Sequence, residues 1–194
     1  MLYVVESLPE AGSRKPEAGS RKPEAGSYTP RMTEAWLSGP VDGVPAVLQP
    51  AAHALLQARQ EVQEVAPPLS GDVLWTARGA ATPGFHLLHM AGALDRLFTY
   101  ARGEALNDTQ KAALRFESQP HPEMDGAALA RHLASAVDVG LAQLRATDPD
   151  RVFDDRKVGR AGLPSNVLGL LFHAAEHTTR HAGQFITTVK LLAG

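Results

Sequence analysis

The sequence His173-Ala-Ala-Glu-His177-Thr-Thr-Arg-His181-Ala-Gly-Gln184-Phe185 carries three histidines at intervals of four residues. It lies in a segment, from about residue 165 to 192, whose apolar spacing predicts one long helix. Because positions four apart return to nearly the same face of a helix, the three imidazoles are predicted to form one ridge, which Gln184 extends. Apolar residues flank that ridge, so we expect it to face the protein interior and not water: Leu170, Ala174, Phe185 and Leu192.

Two interpretations of this ridge are open. Buried histidines are tolerated in a core wherever each ring nitrogen finds a partner. Alternatively, two histidines one helical turn apart bind a single metal ion, as they do in the H-E-x-x-H helix of metalloproteases. Ala174 and Thr178 stand where that motif requires glutamate. The spacing therefore predicts a metal site without the metalloprotease motif, and a third ligand is expected from another helix.

The composition excludes several classes of function. The chain has 194 residues, a net charge of −2 and no cysteine. This length suits one domain with a sizeable core, and the charge indicates no nucleic-acid surface. Disulfides, thiolate metal ligands and a cysteine nucleophile are excluded. Because no apolar run approaches the roughly 18 residues of a membrane span, we expect a soluble cytoplasmic protein that does not act at a membrane.

The N-terminal segment differs from the rest of the chain. A seven-residue unit, Glu-Ala-Gly-Ser-Arg-Lys-Pro, occurs twice over residues 10–23 and is followed by a variant copy, Glu-Ala-Gly-Ser-Tyr-Thr-Pro, over residues 24–30, so every copy ends in proline. The prolines exclude a coiled coil, and the lack of bulky side chains leaves little to offset the entropy of folding. We expect residues 1–31 to be a disordered tail and residues 32–194 to form the folded domain, with Met32 as an alternative start of translation.

The remaining sequence predicts four long helices and no convincing strand. These helices are expected from Pro50 to about residue 66, from Thr82 to about 102, from Asp125 to about 147, and from about 165 to 192. A shorter helix is possible over 108–116, and residues 153–163 are expected to form a basic loop. The pattern predicts an all-α fold, a four-helix bundle whose long connections leave the order of the helices open. The inward faces of the first three helices are predicted to be Ala51, Leu55, Ala58, Val62 and Val65; Phe85, Leu88, Ala91, Asp95 and Phe98; and Leu129, Leu133, Val137, Leu141 and Leu144.

The second long helix offers candidates for the third ligand. His86 and His89 both fall in its first two turns, about 60° apart around the helix, so one is expected to face inward while the other flanks it. The remaining histidines have no partner at helical spacing. We expect His53 at the surface, His121 in a loop and His132 in solvent.

Together these motifs resemble the DinB/YfiT-like superfamily. The resemblance rests on Phe85-His-Leu-Leu-His89-Met-Ala and on His177-x-x-x-His181-Ala-Gly-Gln184, and it covers about residues 44–194. It implies a four-helix bundle that binds one divalent metal ion through His89, His177 and His181, with His86 as the alternative to His89. Ala182 stands where many relatives have arginine, and His173 matches no ligand of the family.

The family includes enzymes that add low-molecular-weight thiols such as bacillithiol to electrophiles, a mycothiol-dependent isomerase, and proteins assigned as hydrolases. The resemblance therefore implies a metal-dependent enzyme of the thiol S-transferase or hydrolase type, with a small-molecule substrate and a homodimeric assembly. Zinc and nickel both accept imidazole ligands. The alternative is a non-catalytic metal-binding or stress-response bundle protein.

Three imidazoles would leave open positions on the ion, which is typical of a catalytic and not a structural site. No catalytic residue is assigned from the sequence, because Glu176 points about 100° away from the histidine ridge. Gln184 is expected to hydrogen-bond a ligand, bound water or substrate, or only to satisfy a buried donor. Arg160 and Arg180 are candidates for attracting an anionic thiol.

Overall fold

The structure, a computed structural model, describes residues 33–79 and 81–193. The proposed tail over residues 1–31 lies outside these residues. The described chain contains six α-helices and one two-stranded sheet, together with three short 3-10 turns. The bounds are α1 Gln49–Val65, α2 Gly71–Leu74, α3 Pro83–Ala101, α4 Asp108–Phe116, α5 Gly126–Ala146, β1 Asp155–Val158, β2 Leu163–Asn166 and α6 Val167–Ala193.

The predicted starts of α3 and α5 are confirmed by their caps. The Thr82 hydroxyl accepts a hydrogen bond from the Phe85 backbone N–H at 3.2 Å, and Pro83 occupies the first turn of α3. The Asp125 carboxylate accepts from the Ala128 N–H at 2.7 Å at the start of α5. Such side chains satisfy backbone donors that have no partner within the helix. Thr82 thereby fixes the point from which α3 carries its histidines into the bundle.

The four long helices α1, α3, α5 and α6 form the predicted all-α bundle. Helix α1 packs against α5 and α6, and α3 packs against the same two helices. Helices α1 and α3 therefore stand at opposite corners, and so do α5 and α6. This arrangement explains the long connections, since the chain must cross the bundle from α1 to α3 and again from α5 to α6. The α3–α6 contact is the most extensive.

The predicted core faces of α1 and α5 are largely confirmed, but that of α3 needs one correction. The predicted inward residues of α5 are all buried, as are those of α1 up to Val62. On α3, Asp95 is exposed, whereas Arg96 is buried with 8% of its surface accessible. Helix α3 is buried around most of its circumference, so its apolar spacing does not identify a single inward face. The buried charge of Arg96 needs a partner.

The basic link before the last helix is a hairpin, and the prediction of a loop there was wrong. Strands β1 and β2 pair antiparallel, with Asp155 opposite Asn166 and Val158 opposite Leu163. Gly159 and Gly162 lie in the turn with φ of 68° and 62°. Glycine adopts this left-handed region without steric penalty, which lets the chain reverse here.

Among residues 33–79 and 81–193, no helix has both the length and the apolar character needed to cross a membrane.

Candidate metal centre

Three imidazoles from α3 and α6 meet at one place in the bundle. His89 projects from the second turn of α3, and His177 and His181 lie one turn apart on α6. Nε2 of His89 lies 2.9 Å from Nε2 of His177. One ring nitrogen from each of the three histidines lies within 4.8 Å of the others, and all three side chains are half-buried. The structure thus brings together the three residues predicted as ligands.

The site favours neutral imidazoles. Burial, followed by the positive charges that neighbouring histidines and Arg180 would present, lowers the pKa of His177 and of His181 to about 4. Both rings are therefore neutral near pH 7, and a neutral imidazole offers a lone pair to a metal ion. Two lone pairs that face each other across 2.9 Å repel, unless a proton or a cation lies between them.

A buried carboxylate holds the far side of His89. Nδ1 of His89 lies 2.9 Å from Oε2 of Glu117, and the Arg96 guanidinium pairs with both oxygens of the same carboxylate. Burial alone would raise the pKa of Glu117, but the hydrogen bonds from His89 and Arg96 and the charge of Arg96 outweigh it and lower the pKa. Glu117 is therefore an ionised acceptor. A neutral imidazole that donates from Nδ1 to such an acceptor keeps its free lone pair on Nε2.

His86 contacts the site without joining the group of three. It is buried, and its Nδ1 lies 2.9 Å from Nδ1 of His181. Burial, together with the charge that a protonated His89 would present, lowers the pKa of His86. In this position His86 can accept from the Nδ1–H of His181 and leave Nε2 of His181 for an ion. Phe85, one residue earlier, stacks on His89 with ring centroids 5.1 Å apart.

The ridge on α6 is only partly buried, which corrects the expectation that all its members face inward. His173 and Gln184 are exposed, while His177 and His181 are half-buried. The reason is that a step of four residues overshoots a full turn by about 40°, because the helix has 3.6 residues per turn. Over two such steps the ridge drifts by about 80° around the helix, so its first member faces solvent.

The two arginines proposed to attract an anion differ in their positions. Arg180 is adjacent to His181 in the chain, but its guanidinium pairs with the carboxylate of Glu176 at the surface. Arg160 lies in the hairpin beside a surface groove that includes Tyr100. Tyr100 is eleven residues beyond His89, about 16 Å further along α3. The position of Arg160 therefore separates it from the three histidines.

The remaining histidines lie elsewhere. The His53 ring bonds to the Gly39 carbonyl at 2.9 Å, and His132 is exposed as expected. His121 is in a loop, but it is buried: it stacks on Phe116 with centroids 3.4 Å apart and contacts Trp75 edge-on. This packing gives His121 a structural role, whereas the sequence predicted only that His121 lies in a loop.

Sequence reasoning missed Glu117 and Arg96. Glu117 follows α4 and lies 28 residues from His89, so no local spacing links the two. Arg96 did carry a signal, since it lies seven residues after His89 and thus on the same face of α3. A charge that is buried beside His89 requires a counter-charge, and this requirement predicts a carboxylate from one of the connecting segments.

Fold and site together describe a four-helix bundle with a three-histidine cluster that fits a metal-binding protein. The donor set suits a divalent ion, because three imidazole nitrogens converge and a hydrogen-bonded carboxylate lies behind one of them. The sequence profile of the DinB superfamily matches residues 2–185, and the chain belongs to that superfamily.

A solved structure shares the fold. It is the crystal structure of a conserved protein from Enterococcus faecalis, which aligns with a TM-score of 0.61 and 19% sequence identity. The alignment covers 76% of this chain and 98% of the other. No functionally curated protein matches the chain. The structural likeness, at this identity, concerns the fold alone.

Proposed function

We propose that His89, His177 and His181 bind one divalent metal ion, zinc or nickel, and that this centre catalyses a reaction of a small molecule. The observation that carries the proposal is the convergence of three ring nitrogens within 4.8 Å on two helices that pack together. Two of these imidazoles have a lowered pKa and are neutral near pH 7. A three-histidine set leaves coordination positions for a substrate.

A divalent ion held in this way would supply Lewis-acid chemistry, lowering the pKa of a bound water or thiol. The protein's own side chains favour the thiol. The chain has no cysteine, so a sulfur nucleophile would arrive with the substrate. Within residues 33–79 and 81–193, each glutamate that contacts a histidine of α3 or α6 is already paired with an arginine, Glu117 with Arg96 and Glu176 with Arg180. A thiol, more acidic than water, needs less help from such a base.

A surface groove lined in part by His86, which contacts His181, supports a largely apolar substrate that carries some polar groups. Most of its lining surface is apolar carbon, and hydroxyl, amide, imidazole and guanidinium groups provide the remainder. Gln184 lies exposed there and is available to a substrate, which agrees with the first of its two expected roles. Arg180 would meet an anionic thiol at the edge of this groove. The lining residues are Ala81, His86, Arg180, Gly183, Gln184, Thr187, Thr188 and Leu191.

Metal analysis followed by a turnover screen tests the proposal. The purified protein should contain or take up about one divalent ion per chain, measured by mass spectrometry of the metals after dialysis. The metal-loaded protein should then accelerate the reaction of a low-molecular-weight thiol with an electrophile. The matched control is the double variant H177A/H181A. Less than a tenth of an ion per chain under saturating zinc and nickel would contradict the metal site.

A second candidate is a non-catalytic metal-binding protein, such as a stress-response bundle. The three histidines are half-buried, which limits the access of a substrate and so favours this candidate. Stoichiometric metal without turnover of any thiol–electrophile or ester substrate, combined with a large rise in unfolding temperature on metal binding, would support this candidate.

By likeness to the family, we also propose a homodimer. Light scattering at micromolar protein should give twice the chain mass of 20.7 kDa. A mass equal to one chain would contradict it.

A further inference from the structure

The side of His89 that faces away from the other histidines is held by a residue from a different part of the chain. Its Nδ1 contacts Oε2 of Glu117 at 2.9 Å, while its Nε2 faces Nε2 of His177. Nδ1 and Nε2 lie on opposite sides of an imidazole ring, so Glu117 stands behind the ring and not among the atoms that converge. A carboxylate accepts and does not donate when ionised.

We propose that Glu117 is a positioning residue of the metal site: it holds His89 as the Nδ1–H tautomer with Nε2 aimed at the ion. The inference rests on the metal site proposed above, but its first part, the tautomer, concerns the metal-free chain. A histidine that donates its second N–H to a carboxylate has a fixed ring orientation and is a more basic ligand.

Helix α3 is shaped to receive this carboxylate. Gly92 and Arg96 lie three and seven residues after His89, on the same face. A Cβ atom at Gly92 would lie 1.9 Å from Oε1 of Glu117, so any side chain there would expel the carboxylate. Arg96 donates to both carboxylate oxygens from the next turn. On this face of α3, His89 thus provides the ligand, Gly92 the space for the carboxylate and Arg96 the counter-charge.

Helix α4 holds Glu117 in place. Its first turn carries a capping box between Asn107 and Gln110. The Gln110 amide also donates to the Asp95 carboxylate at 2.8 Å and to the Thr99 hydroxyl at 2.7 Å. Glu117 is the residue that follows α4, and its N–H still donates to a carbonyl of the helix. Because α4 is bonded to α3 at both ends, Glu117 has little freedom to leave His89.

The first test is the tautomer of His89 in the metal-free wild-type protein at pH 7.5, measured by two-bond ¹H–¹⁵N correlation of the imidazole rings. We expect His89 as the Nδ1–H form. An Nε2–H form in the wild-type protein would overturn the proposal at once, whatever metal binding shows. This measurement needs no variant, so it separates a failure of this inference from a failure of the metal site.

The second test uses two variants, one that keeps the Arg96 charge in the core and one that removes it. E117Q keeps the shape and one acceptor oxygen but loses the charge. The double variant E117A/R96L removes both members of the buried ion pair, so it leaves no uncompensated charge in the core. Circular dichroism verifies that each is folded, and the dissociation constant for cobalt(II), with its visible spectrum, is measured for the folded protein.

We expect the double variant to bind cobalt about 10–100-fold more weakly than wild type, with an altered spectrum, and E117Q to fall between the two. The matched control is E123Q, because Glu123 contacts His121, a histidine outside the site, and should leave affinity unchanged. If the folded variants, E117Q included, bind cobalt within about threefold of wild type, the proposal is wrong. If the double variant does not fold, the cobalt affinity of E117Q and the tautomer of His89 in the wild-type protein decide whether the proposal holds.

Discussion

The molecule contains two groups of glutamate, arginine and histidine that match in composition and differ in place. In the buried group, the side chains of Glu117, Arg96 and His89 expose 5%, 9% and 20% of their surface. In the surface group, those of Glu176, Arg180 and His173 expose 39%, 50% and 51%. The buried group joins α3 to the residue that follows α4, 28 residues beyond His89, whereas the surface group lies within about two turns of α6.

The difference teaches that residue type alone does not give a charged group its role. In the surface group Arg180 lowers the pKa of Glu176, but water and ions screen that interaction. In the buried group burial raises the pKa of Glu117, and the contacts with His89 and Arg96 outweigh that effect and lower the pKa. An ion pair of this kind contributes geometry more than stability, because desolvation offsets much of its attraction.

The largest expected effect separates the three proposed ligands, which include His89 of the buried group, from His173 of the surface group. His89→Ala, His177→Ala or His181→Ala should weaken metal binding by more than about 100-fold, beyond the loss typical of outer contacts. His173→Ala should leave stoichiometric metal, because its ring is exposed. His86→Ala should also keep the metal, with reduced affinity. Calorimetric titration with zinc checks each variant, and metal retained by H177A/H181A would contradict the site.

The second effect concerns the stability of the metal-free protein. Glu117→Ala leaves the Arg96 charge buried without a partner, which should reduce the free energy of unfolding by about 3–5 kcal/mol. E117A/R96L should be more stable than E117A, since the charge is removed as well. Urea unfolding followed by circular dichroism measures both. If E117A is as stable as wild type, water reaches Arg96, and the distinction between buried and surface groups fails.

A third effect appears as a dependence on pH. His177 and His181 have a pKa of about 4 in the folded protein, below the ordinary value of 6.5. As pH falls below 6.5, the unfolded chain takes up protons before the folded chain does, so the metal-free protein should lose stability between pH 6.5 and 4. Above pH 6.5 these two groups should contribute no slope. The control H177A/H181A should show a shallower decline over the same range, and equal slopes would contradict the assignment.

Local patterns in the sequence predict much of the fold. The faces of α1 and α5 follow the apolar spacing, and Thr82 and Asp125 cap helices where their residue types favour a start. The hairpin was missed because its strands lack the alternating apolar residues that mark a half-buried strand. The prediction that Asp95 faces inward is wrong because a helix that is buried on most sides has no single apolar face.

The site could be predicted only where its members share a helix or a motif. His177 and His181 follow from spacing within α6, and His89 follows from the family motif. Glu117 depends on how α4 folds back along α3, and no spacing between residues 89 and 117 encodes that contact. The role of Glu117 depends on a contact with a different helix, so the residue pattern within one helix does not predict it.

The smallest expected effect comes from the surface group. Glu176→Gln removes a charge adjacent in sequence to His177, but its carboxylate is open to solvent and bonded to Arg180. In 0.15 M salt, where charges are screened over about 8 Å, cobalt affinity should change by less than about threefold. In 1 M salt, where that length is about 3 Å, the change should disappear, while the deficit of E117A/R96L should persist because it arises from a lost hydrogen bond. Cobalt titrations of both variants at the two salt concentrations test this. A loss for E176Q as large as that for the double variant would mean that the surface group also positions the site, and the contrast between the two groups would no longer hold.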